Sequence, residues 1–215
     1  MTSLLDLLQA PACAGDSRVF GVVTGVVTNN QDPEKLGRVR VRFPWLSDEQ
    51  ESSWARVAAP MAGNGRGLWL LPEVDDEVLA AFERGDPRFP YVVGALWNQG
   101  SPPPETNEDG RNDVRVLRSR SGHVVRLDDR EGEEKIEIAD GSGKGSIVVR
   151  TGDGGITVTC DGDLTLESKN GKLVLKAKGV EVSSQGAVEL EAQGDVGLRA
   201  SGGGVTVKGN TIDLN

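Results

Sequence analysis

The chain has 215 residues and a formal net charge of −9, from 24 basic and 33 acidic side chains. That length allows one or two domains, and the net charge is about −3 over 20–98, −4 over 99–143 and −1 over 144–215, so no region has the basic surplus that the electrostatic footprint of a nucleic-acid binder requires. Two cysteines, Cys13 and Cys160, are too few for a disulfide framework and lack metal-ligand spacing.

Residues 1–18 carry Leu4, Leu5, Leu7 and Leu8 without a basic start and with only a short apolar run. This is neither a signal peptide nor a membrane span, and it reads as a segment that docks on a partner. Over 19–98, strand-like runs at 19–27, 37–43, 53–58, 67–71, 77–82 and 91–96 alternate with turn-rich stretches such as Asn29-Asn30-Gln31-Asp32-Pro33 and Gly85-Asp86-Pro87. Five or six short strands in this space predict a small Greek-key barrel. Asp75-Asp76-Glu77 reads as an acidic loop, because consecutive carboxylates in an extended chain alternate faces. Gly63-Asn64-Gly65-Arg66-Gly67 lacks the helix and Lys-Ser/Thr of a phosphate loop and reads as a turn.

After a linker at 99–113, the pattern changes. All 10 prolines and all 9 aromatic side chains lie before position 105. Beyond it, pairs of β-favouring aliphatics flank one residue and are followed by a glycine-rich or polar break. The pairs are Ile147/Val149, Ile156/Val158, Leu164/Leu166, Leu173/Leu175, Val180/Val182, Val188/Leu190, Val196/Leu198, Val205/Val207 and Ile212/Leu214, seven to nine residues apart. Val114/Val116, Val125/Leu127 and Ile136/Ile138 extend the series upstream with a stride of 11.

Apolar residues at i and i+2 describe a strand with one dry and one wet face. One strand and one corner per repeat cannot bury that face alone. A monomeric solenoid covers such a face by coiling back on itself, usually with coils of roughly 20 or more residues; with one short strand per repeat, cover by the same face of other chains fits better, and three chains in a triangular prism is the smallest closed form. The absence of proline suits an uninterrupted ladder, and the absence of large rings suits a narrow axis. Twelve rungs at ~4.7 Å would make a rod of about 55 Å. Cys160 follows Val158 at the next inward position and reads as a small core residue.

Gly25-Val26-Val27-Thr28-Asn29-Asn30-Gln31-Asp32-Pro33 is followed by Leu36-Gly37-Arg38-Val39-Arg40-Val41-Arg42-Phe43-Pro44-Trp45. Trp54-Ala55-Arg56-Val57-Ala58, Leu71-Pro72-Glu73-Val74-Asp75-Asp76-Glu77-Val78 and Gly85-Asp86-Pro87-Arg88-Phe89-Pro90-Tyr91-Val92-Val93-Gly94 continue in order. These segments resemble the spike proteins of contractile injection systems, the VgrG and phage baseplate assembly protein V family, in a short form without the hub domain that precedes the barrel in a full VgrG. The resemblance implies an all-β chain: an oligonucleotide/oligosaccharide-binding (OB) type barrel followed by an intertwined trimeric β-prism at 114–215, the triple-stranded β-helix.

From it follows the expectation of a homotrimeric central spike at the baseplate of an injection particle, assembled in the bacterial cytoplasm and ejected on contraction. A separate hub protein would meet the N-terminal segment and barrel, and the target membrane would be touched only during injection. The pattern stops at a regular rung, so a small PAAR-type tip protein is expected at the C-terminal end. The linker has no room for an inserted lysozyme domain, and His123, the single histidine, gives neither a His-x-His metal site nor a triad. No enzyme, cofactor or metal residue is expected. A trimeric fibre or adhesin is the alternative, and it would need exposed aromatics that the repeat lacks.

Overall fold

The computed structural model describes residues 18–46 and 50–212. The leucine-rich start, Cys13 and Leu214 lie outside the described residues. Among those described there is no α-helix, and the protein is all-β. It divides into two units, Met1–Asp163 and Leu164–Asn215.

The first unit opens with a sheet ordered β2-β1-β6-β7-β3. Its strands are β1 (Val22–Asn29), β2 (Arg40–Arg42), β3 (Arg56–Val57), β6 (Glu77–Phe82) and β7 (Pro90–Ala95). Neighbours are antiparallel except β3 and β7, which are parallel. Val39 and Ala55 exchange backbone hydrogen bonds of 3.0 and 2.7 Å, and the Ser52 N–H donates to the Val41 carbonyl at 2.8 Å. The segment that runs into β3 therefore pairs with β2 on one side and β7 on the other, which closes the pairing into a ring. Inside it Val27, Val39, Val41, Phe43, Ala55, Val78, Ala80, Phe82 and Val92 form the buried core. The strict alternation of β6 puts Val78, Ala80 and Phe82 inward. Gly25 is glycine for lack of room: a Cβ there would overlap Val41 and the Phe43 ring.

The loop between β1 and β2 is organised by Asp32. Its carboxylate accepts the N–H groups of Glu34, Leu36 and Arg38 and the guanidinium fork of Arg38 at 2.7 and 2.9 Å. Those bonds hold the Asp32 carboxyl well below the usual range and the Arg38 guanidinium above its own.

One expected strand fails. Residues 67–71 form no continuous strand; β4 (Ala62–Gly63) and β5 (Arg66–Gly67) make a two-stranded hairpin instead, the Leu68 N–H donates to the Met61 carbonyl at 3.0 Å, and residues 69–71 lie in no strand. The Trp69 ring lies across Gly37, where a Cβ would collide with it. The apolar run 68–71 thus belongs to a loop, not a ladder: Leu71 alone packs against the core, while Leu68, Trp69 and Leu70 are exposed.

Past the linker, β8 (Val114–Arg118), β9 (Val124–Asp128), β10 (Lys135–Ala139), β11 (Gly145–Arg150) and β12 (Ile156–Cys160) form a five-stranded antiparallel meander in chain order. The second unit has no strand among its described residues. Its chain carries only isolated bends, and every described side chain in it is exposed.

Candidate assembly interface

The register of the meander decides which side chains share a face. Leu117 pairs with Val125, Val125 with Ile138, Ile138 with Ile147 and Ile147 with Val158. A second row joins Leu127, Ile136, Val149 and Ile156, with Arg115 at its β8 end. One aliphatic row therefore crosses all five strands and a second crosses four, on one face and spaced for cross-strand contact. These nine side chains remain 36–70% exposed in the single chain.

Arg115 ends the second row with a charge. Its guanidinium hydrogen-bonds the Asn112 carbonyl and lies 3.4 Å from Asp129, directed away from the rows. The opposite face is mixed: valines share it with ion-paired side chains, Arg126 beside Glu105 of the linker and Lys135 3.7 Å from Glu137.

Here the sequence reading is corrected. Val114 and Val116 pair with Asp128 and Arg126, so they lie on the face opposite the rows, and Leu117 takes the place expected of them. The cause is the hairpin turn at 119–123, where the Ser119 N–H donates to the His123 carbonyl at 2.9 Å. Counting outward from that turn sets Leu117 against Val125, a signal present in the sequence and stronger than the valine alternation. Val114 and Val116 line a groove with Trp97, Pro103 and Pro104 instead.

Aspartates set the turns. Asp128 is buried, accepts the Arg130 fork at 2.6 and 2.8 Å, and has its carboxyl lowered to about 2 by that partner. Asp140 caps the β10–β11 turn through the N–H groups of Ser142 and Gly145, and Asp153 caps the next through Gly155 at 2.8 Å. Both carboxyls are lowered, chiefly by the Ser142 hydroxyl for Asp140 and the Gly155 N–H for Asp153. His123 Nδ1 accepts the Gly141 N–H at 3.0 Å, which locks two turns together. A Cβ on Gly141 would collide with the Ser121 carbonyl, so the turns can stack only because Gly141 has none.

Of the residues expected at a shared core, Ile147, Val149, Ile156 and Val158 come together on the bare face. Cys160 is on the same face, exposed, with Sγ 3.2 Å from the Gly162 carbonyl. Leu164, Leu166, Leu173, Leu175, Val180, Val182, Val188, Leu190, Val196, Leu198, Val205, Val207 and Ile212 stay 50–77% exposed. The structure brings them to no partner within the chain. Among the described residues, no His, Cys, Asp and Glu cluster could hold a metal ion, and no helix is long and apolar enough to cross a membrane.

Residues 23–97 match the type VI secretion system/phage-baseplate injector OB domain. The match spans the barrel from β1 to β7. The chain is 38% identical over 135 residues to the type VI secretion system spike protein VgrG4b of Pseudomonas aeruginosa, covering 56% of this chain and 17% of that protein. It is 34% identical over 134 residues to the spike protein VgrG5 of the same organism, again over 56% of this chain and 17% of the relative. To the spike protein VgrG3 of Vibrio cholerae it is 31% identical over 141 residues, 60% of this chain and 14% of the relative. The matches thus span about a sixth of the length of these relatives.

Proposed function

We propose that the protein is the homotrimeric central spike of a contractile injection system's baseplate, mechanical in action and without an active site of its own. The observation that carries this is the pairing of an exposed aliphatic face with a backbone that has no partner. Beyond the Asp161 N–H, which donates to Lys144, no described residue makes a backbone hydrogen bond to another backbone group. A chain of 50 residues with alternating aliphatics and unpaired N–H and C=O groups needs both a dry core and a ladder. Other copies of the same segment supply both, with pairs Ile147/Val149 through Ile212/Leu214 as the trimer core.

The injector OB barrel and the spike-protein relatives favour this role over a fibre or adhesin. So does the lack of any aromatic side chain after Trp97 from which to build a receptor-binding face. In the assembled particle the barrel and the N-terminal segment meet a separate hub, and a PAAR-type tip protein sits at the needle's far end. The target membrane is met only as the needle is driven through it. Native mass spectrometry of the purified chain tests the reading: three copies are expected, with a trimer band that survives cold SDS. A monomer at micromolar concentration would sink it.

A further inference from the structure

The trimer reading leaves open which part of the repeat brings the copies together. Three observations separate the meander from the segment after it. First, each protomer completes the β8–β12 ladder by itself, with all four strand pairs in full register. Second, on the side away from the rows, the chain's own linker lies against β8 and β9, tied by the Glu105–Arg126 ion pair and by the groove in which Val114 and Val116 sit. The bare side has no such cover. Third, the described residues from 164 on have neither ladder nor burial within one chain.

These differences impose an order. Bringing three unstructured segments of about 50 residues into one prism costs backbone entropy at every residue before any rung is complete. A preformed sheet has already lost that entropy, and it presents nine aliphatics on a fixed surface. We infer that the bare face of β8–β12 is the nucleating interface, docking against the same face of two other copies, and that residues 164–212 order only on the seed so formed. This rests on the homotrimer proposed above and goes beyond it by naming the surface that starts assembly. Arg115, at one corner of the face, marks where the dry interface stops. The spacing of the aliphatic pairs runs from Ile156/Val158 into Leu164/Leu166 without a break, so the seed leads into the first needle repeat.

Two full-length variants test this by native mass and by amide hydrogen exchange. Ile138→Asn, in the middle of the first row, should reduce the mass from three chains to one and leave 164–212 exchanging at the rate of an unstructured chain. Leu190→Asp should keep the three-chain mass and the protection of β9–β11, while protection between about 180 and 212 is lost. A monomeric Leu190→Asp, or a trimeric Ile138→Asn, overturns the inference. A monomeric wild type overturns the trimer itself and is recognised before either variant is read. If Ile138→Asn also loses protection of the intrachain β9–β10 ladder, Leu117→Asn on edge strand β8 decides by the same criteria.

Discussion

Valine makes the comparison between the barrel and the C-terminal repeat direct. Val27, Val39 and Val41 are fully buried by their own chain, whereas Val182 is 75% exposed in its. Both sets alternate with polar neighbours and both stand in β-favouring sequence. What differs is the source of the covering surface. The barrel closes its sheet through β3 and the Val39–Ala55 bridge, so each inward side chain meets another from the same chain. The repeat has one aliphatic pair between successive breaks and, within its own chain, nothing opposite. Alternation therefore reports that a face will be dry without saying which molecule dries it.

The comparison is broken most severely at Val41. Val41→Asp places a carboxylate in a core with no partner and should destabilise the barrel by ~3 kcal/mol or more. Tryptophan fluorescence reads this, since the Arg40 guanidinium lies 5.0 Å from the Trp54 ring centroid. Val182→Asp should leave that barrel transition in place. Its effect is expected in the proposed trimer, where three carboxylates would converge and detergent-induced dissociation should speed up about tenfold. Equal effects of both variants on the fluorescence transition would mean that the two regions do not differ as described.

Much of this was legible in the sequence, and the failures have physical causes. β6 sits where the alternation of Val78, Ala80 and Phe82 places it, because a two-residue period with one buried face admits a single phase. Residues 68–71 misled because an apolar run serves an exposed loop, with the Trp69 ring laid across Gly37, as well as it serves a strand. Val114-Arg115-Val116-Leu117 contains two alternating phases, and only the hairpin turn at 119–123 chooses between them. That β8–β12 pair within one chain could not be read from spacing, since a five-residue strand can be paired by either its own chain or a neighbour. The Asp128–Arg130 pair was missed outright, although an acid two residues before an arginine at a turn was there to be noticed.

Acid sharpens the comparison less severely. Asp86 and Asp128 are each lowered from 3.8 to about 2 by the guanidinium of Arg88 and Arg130 respectively. A lowered carboxyl stabilises the fold above its unfolded value and loses that contribution as pH falls through the folded one. The barrel and meander should therefore weaken between about pH 4 and pH 2. Asp128→Asn should flatten the meander's part of this dependence, measured as hydrogen exchange of β9 and β10 against pH, while the barrel's part persists through Asp86. A meander that loses protection equally steeply with asparagine there would remove Asp128 from the account.

The smallest effect is expected where barrel and meander touch. Arg120, in the turn between β8 and β9, reaches 2.7 Å from Glu73 of the barrel's 72–76 loop. Both side chains are solvent-exposed, and such pairs contribute only ~0.2–1 kcal/mol because water screens the charges and two long side chains lose rotamer freedom. Arg120→Ala should accordingly leave the stability of both parts within about 0.5 kcal/mol of wild type. Its consequence is orientational: this ion pair fixes the first hairpin against the barrel, beside the Gly141–His123 bond that fixes that hairpin to the next. Residual dipolar couplings or paired spin labels on the barrel and on β10 should show a broader angular distribution in the variant, narrowed again by Arg120→Lys. An unchanged distribution would assign the alignment to the linker and its Glu105–Arg126 pair instead, and Glu105→Ala would then be the variant that broadens it.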